Sequence, residues 1–545
     1  MTSLLLENNK NKKVLSNCFY RPNWEKYTPM SYHHDESATC DLLWICFDWN
    51  GQLRNYFNND NMIFIDFSEL SGDLAAFFSC IIDAKPSCCR FITCLPQVET
   101  TDIIHFVQNW IWNNLINFIK HYHSVIKSIP IEICSITQNL FEVSSLNNIY
   151  VPLQALLVST IYALSAEFPN TTFKMLDIHS ISEVMNNNFL SQFNLVPTNS
   201  YLTWRNQQHW ILRYQQVFIP NFISGKLALS NGDVYVLIGF GGIAIELAKY
   251  FVENVSCHII FLTRKVVISV EKESDLEQIR QKASTVELMQ VDVTDEKSLE
   301  ETFANIQKRF TFITGVINTT GIFSAKTLRE LTFSDWKDVL KPKLQGAISL
   351  LNVIKSIDLK FCYFFSSSTT LKYTIGTFSY YSANLFLDYY LRQFSSDARI
   401  RNIKWGMWQD VGMSNLERME NPTEEFHHFR QYFSFLPEEA RMLFDKALAC
   451  DCAELLITAE PLEGTDLKTK NLSVNDQVLE KMKAIWLSVL KVDSLNYNDN
   501  FFELGGHSLM AAQLINKINK TFSSKLNLQQ LFHSPTLLGL AANLE

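Results

Sequence analysis

Short apolar runs alternate with stretches in which apolar positions recur every three or four residues, and the alternation occurs twice along the chain. The first series holds Leu42-Leu43-Trp44-Ile45-Cys46, Met62-Ile63-Phe64-Ile65, Phe91-Ile92-Thr93-Cys94 and Ile131-Glu132-Ile133-Cys134, with a helical period between them that is clearest over residues 102–120. The second starts at Asp233-Val234-Tyr235-Val236-Leu237-Ile238, passes through Cys257-His258-Ile259-Ile260-Phe261-Leu262 and Phe361-Cys362-Tyr363-Phe364-Phe365, and runs to about residue 460. Strands alternating with helices predict parallel sheets, so both parts read as α/β. Residues 463–475 are polar and aperiodic, as a linker is. Beyond them the period is helical, over residues 478–490 and 510–515 and again after Pro535-Thr536-Leu537. The longest apolar span, residues 151–168, contains Pro152, Gln154 and Glu167 and predicts a buried helix rather than a membrane crossing.

Glycine separates the two α/β parts more sharply than hydropathy does. Only Gly51 and Gly72 precede Pro220, and the other 15 of the 17 glycines follow it. A phosphate-cradling loop therefore belongs to the second part. Gly239-Phe240-Gly241-Gly242-Ile243-Ala244 follows a strand and opens a helix, a Gly-x-Gly-x-x-Ala form of the dinucleotide fingerprint. At the end of the next strand an NAD enzyme would carry an acid, but this chain has Thr263-Arg264-Lys265, whose positive charge suits a 2'-phosphate and favours NADPH. The alternative for Arg264 and Lys265 is a pair of solvated loop residues.

At 545 residues the chain exceeds one core and predicts about three domains. A formal charge of -9 argues against a nucleic-acid surface. The 12 cysteines form no Cys-x-x-Cys pair, which predicts no metal site and free thiols in a reducing compartment. The N-terminus lacks the basic and cleavage-like regions of a signal peptide, so the expected location is cytoplasmic.

Ser366-Ser367-Ser368 closes a strand, and Tyr380 follows Ser367 by 13 residues, with Asn384 one helical turn later on the same face. In this register residues 232–413 resemble the catalytic ketoreductase subdomain of modular polyketide synthases, a branch of the short-chain dehydrogenase/reductases. The glycine-poor part before it resembles the structural subdomain of that family, which Tyr20-Arg21-Pro22-Asn23-Trp24 would open. An ordinary short-chain dehydrogenase has lysine where Asn384 stands. The ketoreductase branch draws its lysine from an earlier helix, and Lys343-Leu344-Gln345-Gly346-Ala347 resembles that motif, 24 residues before Ser367. Lys341 and Lys372 are the weaker substitutes. The resemblance implies Tyr380 as proton donor, Ser367 as oxyanion partner, Lys343 as the cation that lowers the phenol's pKa, and Asn384 as its orienter or part of a proton path. It also implies that Asp292-Val293 contacts adenine, that Asn318-Thr319-Thr320-Gly321 ends a strand beside the cofactor, and that Trp405-Gly406-Met407-Trp408 and Val411-Gly412-Met413 form the substrate side. A Leu-Asp-Asp marker of product stereochemistry would fall near Phe323-Ser324-Ala325 and is absent, and the other class's tryptophan is replaced by Lys372. The sense of the hydroxyl is therefore left open.

Near the C-terminus, Asp499-Asn500-Phe501-Phe502-Glu503-Leu504-Gly505-Gly506-His507-Ser508-Leu509 places a serine at a helix start after two glycines. On its own this is also an ordinary turn with a serine N-cap. Together with its flanking helices it resembles the acyl and peptidyl carrier domains of polyketide and nonribosomal peptide synthases, in which the matching serine, here Ser508, receives 4'-phosphopantetheine from a phosphopantetheinyl transferase.

The expected architecture is an N-terminal extension (1–18), a Rossmann-like structural subdomain without a cofactor loop (19–225), a second Rossmann-like, doubly wound, NADPH-binding catalytic subdomain (226–462), a linker (463–475) and a small helical-bundle carrier domain (476–545). The expected activity is NADPH-dependent reduction of a carrier-bound β-ketoacyl thioester, with ketosynthase, acyltransferase and release functions supplied in trans and no membrane or nucleic-acid partner. The rivals are reduction of an α-keto acyl group on a peptide-synthetase carrier, and a carrier scaffold with a silent reductase fold.

Overall fold

The computed structural model describes residues 18–28, 42–47, 62–65, 74–94, 103–141 without 127, 152–179, 194–217, 229–414 without 267, 433–460, 476–490, 508–522 and 526–533, with eleven single residues elsewhere. The 463–475 linker and almost all of the N-terminal extension lie outside the described residues. The chain forms two compact units, residues 1–460 and 461–545.

In the first unit, strands β1 (Phe19–Tyr27), β2 (Leu42–Phe47), β3 (Met62–Ile65), β4 (Cys88–Cys94), β5 (Ile131–Gln138), β6 (Thr171–Ile178), β7 (Ser200–Arg205) and β8 (Gln208–Gln216) come from the first half of the chain. The second half adds β9 (Val234–Ile238), β10 (His258–Thr263), β11 (Thr285–Gln290), β12 (Gly315–Asn318), β13 (Phe361–Ser367), β14 (Ile400–Trp405) and β15 (Glu454–Ile457). All fifteen lie in one sheet, in the order β11-β10-β9-β12-β13-β14-β15-β1-β8-β7-β6-β5-β4-β2-β3. The join is β1, which pairs antiparallel with β15 at Phe19↔Ile457 and with β8 from Tyr20↔Gln216 to Tyr27↔His209. The opening segment thus stitches the two α/β halves together rather than merely starting the first.

From β9 to β15 every pairing is parallel, and the interior strands are apolar on both faces because helices cover both. All seven residues of β13 and all five of β9 are buried. The order reverses between β9 and β12, so their C-terminal ends form the crevice in which doubly wound folds bind ligands. In the first half, the same ends of β5 and β6 are filled. Asp177 accepts from the Thr137 hydroxyl at 2.7 Å and the Leu140 amide at 3.1 Å, and pairs with buried Arg205 at 2.5 Å. The segment after β2, which corresponds in sheet order to the glycine loop after β9, lies outside the described residues.

The apolar span at 151–168 becomes helix α1 (Gln154–Glu167), buried along most of its length as the pattern required. The helical period over 102–120 is realised as Ile103–Phe106 in α geometry, Val107–Ile116 as a π-helix and Asn117–Val125 as α-helix again. The wider turn is the local departure from the predicted regular helix. It buries Val107, Ile111, Trp112, Leu115 and Ile116 together. One apolar core joins these helices and α1 to the second-half helices Phe333–Ile354 and Phe378–Arg392, with Trp336, Leu340, Phe378 and Tyr381 in it. Fully burying a side chain of this size stabilises by roughly 1.5–3 kcal/mol, so the halves share their stability.

The second unit contains helices Asp476–Leu490, Ser508–Phe522 and Leu528–His533, the last not singled out by the sequence pattern. Met482, Trp486, Phe501, Leu514, Ile518 and Leu531 form its core, with Trp486 edge-on to Phe501 at 5.3 Å. Among the described residues no helix is long and apolar enough to cross a membrane.

Candidate active site and carrier serine

β9 ends in the loop Gly239–Ile243. Gly239 has φ +106°, and a Cβ there would stand 2.8 Å from Thr319 Oγ1. A Cβ on Gly242 would stand 2.8 Å from the Gly412 amide nitrogen. Only glycine fits either place, which brings the loop backbone against Thr319 after β12 and against Gly412 beyond β14. Gly241 is the N-cap of the helix Gly242–Asn254, with no side-chain cap, and the direction a Cβ would take from it is open space. Its first-turn amides are thus left to an anion, and the open cradle fits the pyrophosphate of a dinucleotide.

Phe240 is buried, and Ile243 and Thr263 are partly so. Thr263 donates to the Lys265 carbonyl at 3.3 Å, while Arg264 and Lys265 are exposed at the end of β10. Burial raises the Asp292 carboxyl, but the Thr294 amide and hydroxyl, with the positive charges of Arg264 and Lys341, outweigh it and leave the pKa below its ordinary value. Val293 is buried against Gly346, so its backbone rather than its side chain is left to meet a ligand. Asn318 closes β12 and accepts from the Thr320 amide at 3.0 Å and hydroxyl at 2.6 Å.

Ser367 ends β13 and Tyr380 stands in the first turn of the helix Phe378–Arg392. The structure brings Tyr380 near Ser367 and Asn384, both of which act to lower the pKa of the phenol. Asn384 Nδ2 also donates to the Tyr380 carbonyl at 2.9 Å, while its buried Oδ1 has no hydrogen-bond partner in this structure. Lys343 is 7% exposed and donates to the Phe365 carbonyl on β13. Its chain passes Gly321, whose Cβ would meet Lys343 Cε at 3.5 Å. Lys341 and Lys372 are exposed, which removes them as substitutes. Pro342 inside the helix Phe333–Ile354 deletes one backbone hydrogen bond immediately before Lys343.

One electrostatic expectation is corrected. Tyr380 was to have its pKa lowered by Lys343, but burial dominates and holds the phenol above its ordinary value, with Ser367 and Asn384 pulling it partly back. Burial also lowers Lys343 to about 8, against the raising effect of the Asp388 carboxylate. The phenol is therefore kept protonated, the form that can give a proton, while the Lys343 amine is mainly cationic at neutral pH.

Phe323 lies edge-on to Tyr380 with ring centres 5.4 Å apart and is 41% exposed, giving the site an apolar rim. Two contacts escaped the sequence reading. Lys272, on the helix Val270–Arg280, reaches the Phe240 carbonyl at 2.6 Å, and Thr319 donates to the Ile238 carbonyl at 3.0 Å beneath Gly239. Among the described residues no cluster could hold a metal ion.

Ser508 is the first residue of the helix Ser508–Phe522. Gly505, Gly506 and His507 lie outside the described residues.

Comparison with known proteins agrees with this geometry. Residues 233–410 match the KR domain family and residues 480–544 the phosphopantetheine attachment site family. Polyketide synthase PksN of Bacillus subtilis is 23% identical over 380 residues, 63% of this chain and 7% of its own length. Polyketide synthase 19 of Gibberella fujikuroi is 31% identical over 156 residues, 28% of this chain and 6% of its own. The chain thus spans less than a tenth of these relatives. A crystal structure of a ketoreductase domain from the bacillaene assembly line superposes with TM-score 0.56 at 16% identity, covering 81% of this chain and 96% of that one. An adenylation, ketoreductase and pseudo-Asub structure from a keto acid-selecting NRPS module gives 0.68 at 15% identity, covering 84% and 40%. By these matches residues 233–410 belong to the KR domain family and residues 480–544 to the phosphopantetheine attachment site family.

Proposed function

We propose that the chain reduces a β-ketoacyl thioester held on phosphopantetheine at Ser508, using NADPH, as part of a polyketide or hybrid polyketide-peptide assembly line whose other domains extend and release the chain. The observation that carries this reading is the convergence of Tyr380, Ser367 and Asn384 at the ends of the strands that also present the glycine loop. A bound nicotinamide supplies a hydride to the carbonyl carbon. Gly239, Phe240, Gly241, Gly242 and Ile243 would hold its pyrophosphate, Arg264 its 2'-phosphate, and Asp292, Val293, Thr263 and Asn318 the adenosine and the strand-end side of the crevice. Ser367 donates a hydrogen bond to the substrate oxygen as negative charge develops there, and Tyr380 gives that oxygen its proton. Lys343 stabilises the phenolate that remains, and Asn384 holds the Tyr380 turn.

Incubating the protein and NADPH with a free β-ketoacyl pantetheine thioester tests the activity. Stoichiometric NADPH oxidation with formation of the β-hydroxy thioester is expected, and no product at saturating cofactor contradicts the reading. The α-keto alternative has a specific footing: the carrier string is peptidyl-like, and one structural neighbour is described as coming from a keto acid-selecting module. Parallel assays with α-keto and β-keto thioesters separate the two, because the favoured substrate is the one with the higher kcat/KM.

Two further outcomes follow. Both the protonated Tyr380 and the cationic Lys343 are present at low pH, and Lys343 loses its charge as pH rises through about 8. The chemical step should hold steady below that pH and decline above it; a rate that climbs steadily from pH 7 to 10 would contradict the assignment. Arg264→Ala should weaken NADPH about tenfold or more and NADH little, since a hydrogen bond to a charged group contributes about 1.5–3 kcal/mol. Equal loss for both cofactors would remove the 2'-phosphate argument.

A further inference from the structure

The turn that delivers Tyr380 is held from the other half of the molecule. Glu167 is the last residue of α1, where a carboxylate faces the unfavourable negative end of the helix dipole. It is partly buried, and its oxygens serve the catalytic half. Oε1 accepts from the Tyr373 hydroxyl and from the Gly376 amide at 3.2 Å, and Oε2 accepts from the Leu328 amide. Gly376 is in the left-handed region at φ +81°, so its amide points where few residues could aim one. The next residues close onto the catalytic helix: Thr377 bonds back to the Thr374 carbonyl at 3.1 Å, and the Tyr381 amide donates to the Thr377 carbonyl at 2.8 Å. Tyr373 also packs edge-on against Tyr381 at 5.2 Å, and Tyr162 of α1 meets Tyr381 edge-on at 6.3 Å. Gly376 in turn abuts the Lys326–Thr327 backbone, in the segment that Leu328 continues.

We propose that Glu167 is a positioning residue of the reductase centre: one carboxylate from the cofactor-free half clamps the turn at residues 373–377 to the segment at Leu328 and so fixes where Tyr380 stands. The structural half is then part of the catalytic apparatus and more than a scaffold. A charged acceptor suits the role because three donors converge on it, two of them backbone amides that a helix or strand does not otherwise satisfy.

This inference rests on Tyr380 as proton donor, so its test has one arm that reads geometry without activity. In Glu167→Ala the amides of Leu328 and Gly376 should both exchange with deuterium markedly faster than in the wild type, and kcat should fall about tenfold or more with KM for NADPH unchanged. Glu167→Gln keeps an oxygen for Tyr373 and Gly376 but turns an amide donor toward Leu328. Its exchange should quicken at Leu328 alone and its kcat should lie between the other two. On a Tyr380→Phe background, Glu167→Ala should cost little more, since both changes act through one hydroxyl. Unchanged exchange at both amides, or wild-type kcat in Glu167→Ala, overturns the proposal, as does a matching rise in KM for NADPH, which would mark general damage to the fold. Full activity in Tyr380→Phe would instead sink the proton-donor reading and leave the exchange arm to judge Glu167 by itself.

Discussion

Tyr380→Phe is expected to lower ketone reduction roughly 10²–10⁴-fold, the span of a positioned general acid, while NADPH affinity and thermal stability stay near wild type. The separation follows from what the substitution removes. The ring remains, and with it the 5.4 Å edge contact with Phe323, and Asn384 Nδ2 keeps its bond to the Tyr380 backbone carbonyl. Only the phenolic oxygen's interactions with Ser367 and Asn384 are lost. Ser367→Ala should cost less than Tyr380→Phe, about 10²-fold, because it removes one oxyanion donor and leaves the acid in place. Turnover near the wild-type rate in Tyr380→Phe would move the proton donor elsewhere, and Tyr381 is a poor substitute because it is buried in the core shared with α1.

Ser508→Ala is expected to abolish phosphopantetheine attachment outright. With coenzyme A and a phosphopantetheinyl transferase the wild type should gain one phosphopantetheine, and the variant none. Reduction of a free small ketone should survive, since the reductase centre lies within residues 1–460 and Ser508 in the other compact unit. Reduction of tethered substrate should vanish, because a short flexible tether holds its cargo at roughly millimolar effective concentration and the variant has no tether. The same mass gain in Ser508→Ala as in the wild type would show that another residue carries the group.

The alternation of apolar runs was enough to reveal two α/β halves and a helical tail, because buried parallel strands such as β9 and β13 tolerate little polarity. Local chemistry was legible where the spacing is short: the glycine loop, and Tyr380 with Asn384 one turn apart. Three things were not. The joining of both halves into one sheet depends on β1 meeting β15 more than 400 residues away, at Phe19↔Ile457, and neither strand's pattern names its partner. The raised phenol of Tyr380 depends on burial, which the linear sequence does not display. Glu167 read as one polar residue in an apolar span, and its meaning appears only where α1 ends beside Tyr373 and Gly376.

The central claim is that hydride reaches a keto group borne by this chain's own carrier serine. The direct measurement loads Ser508 with a β-ketoacyl phosphopantetheine, adds NADPH deuterated at the transferred position, and follows the intact carrier by mass spectrometry in a single turnover. The account predicts that wild type acquires one deuterium on the β-carbon and one exchangeable proton on oxygen, and that Tyr380→Phe does so far more slowly. A loaded wild-type carrier whose mass stays unchanged while NADPH is bound would contradict it.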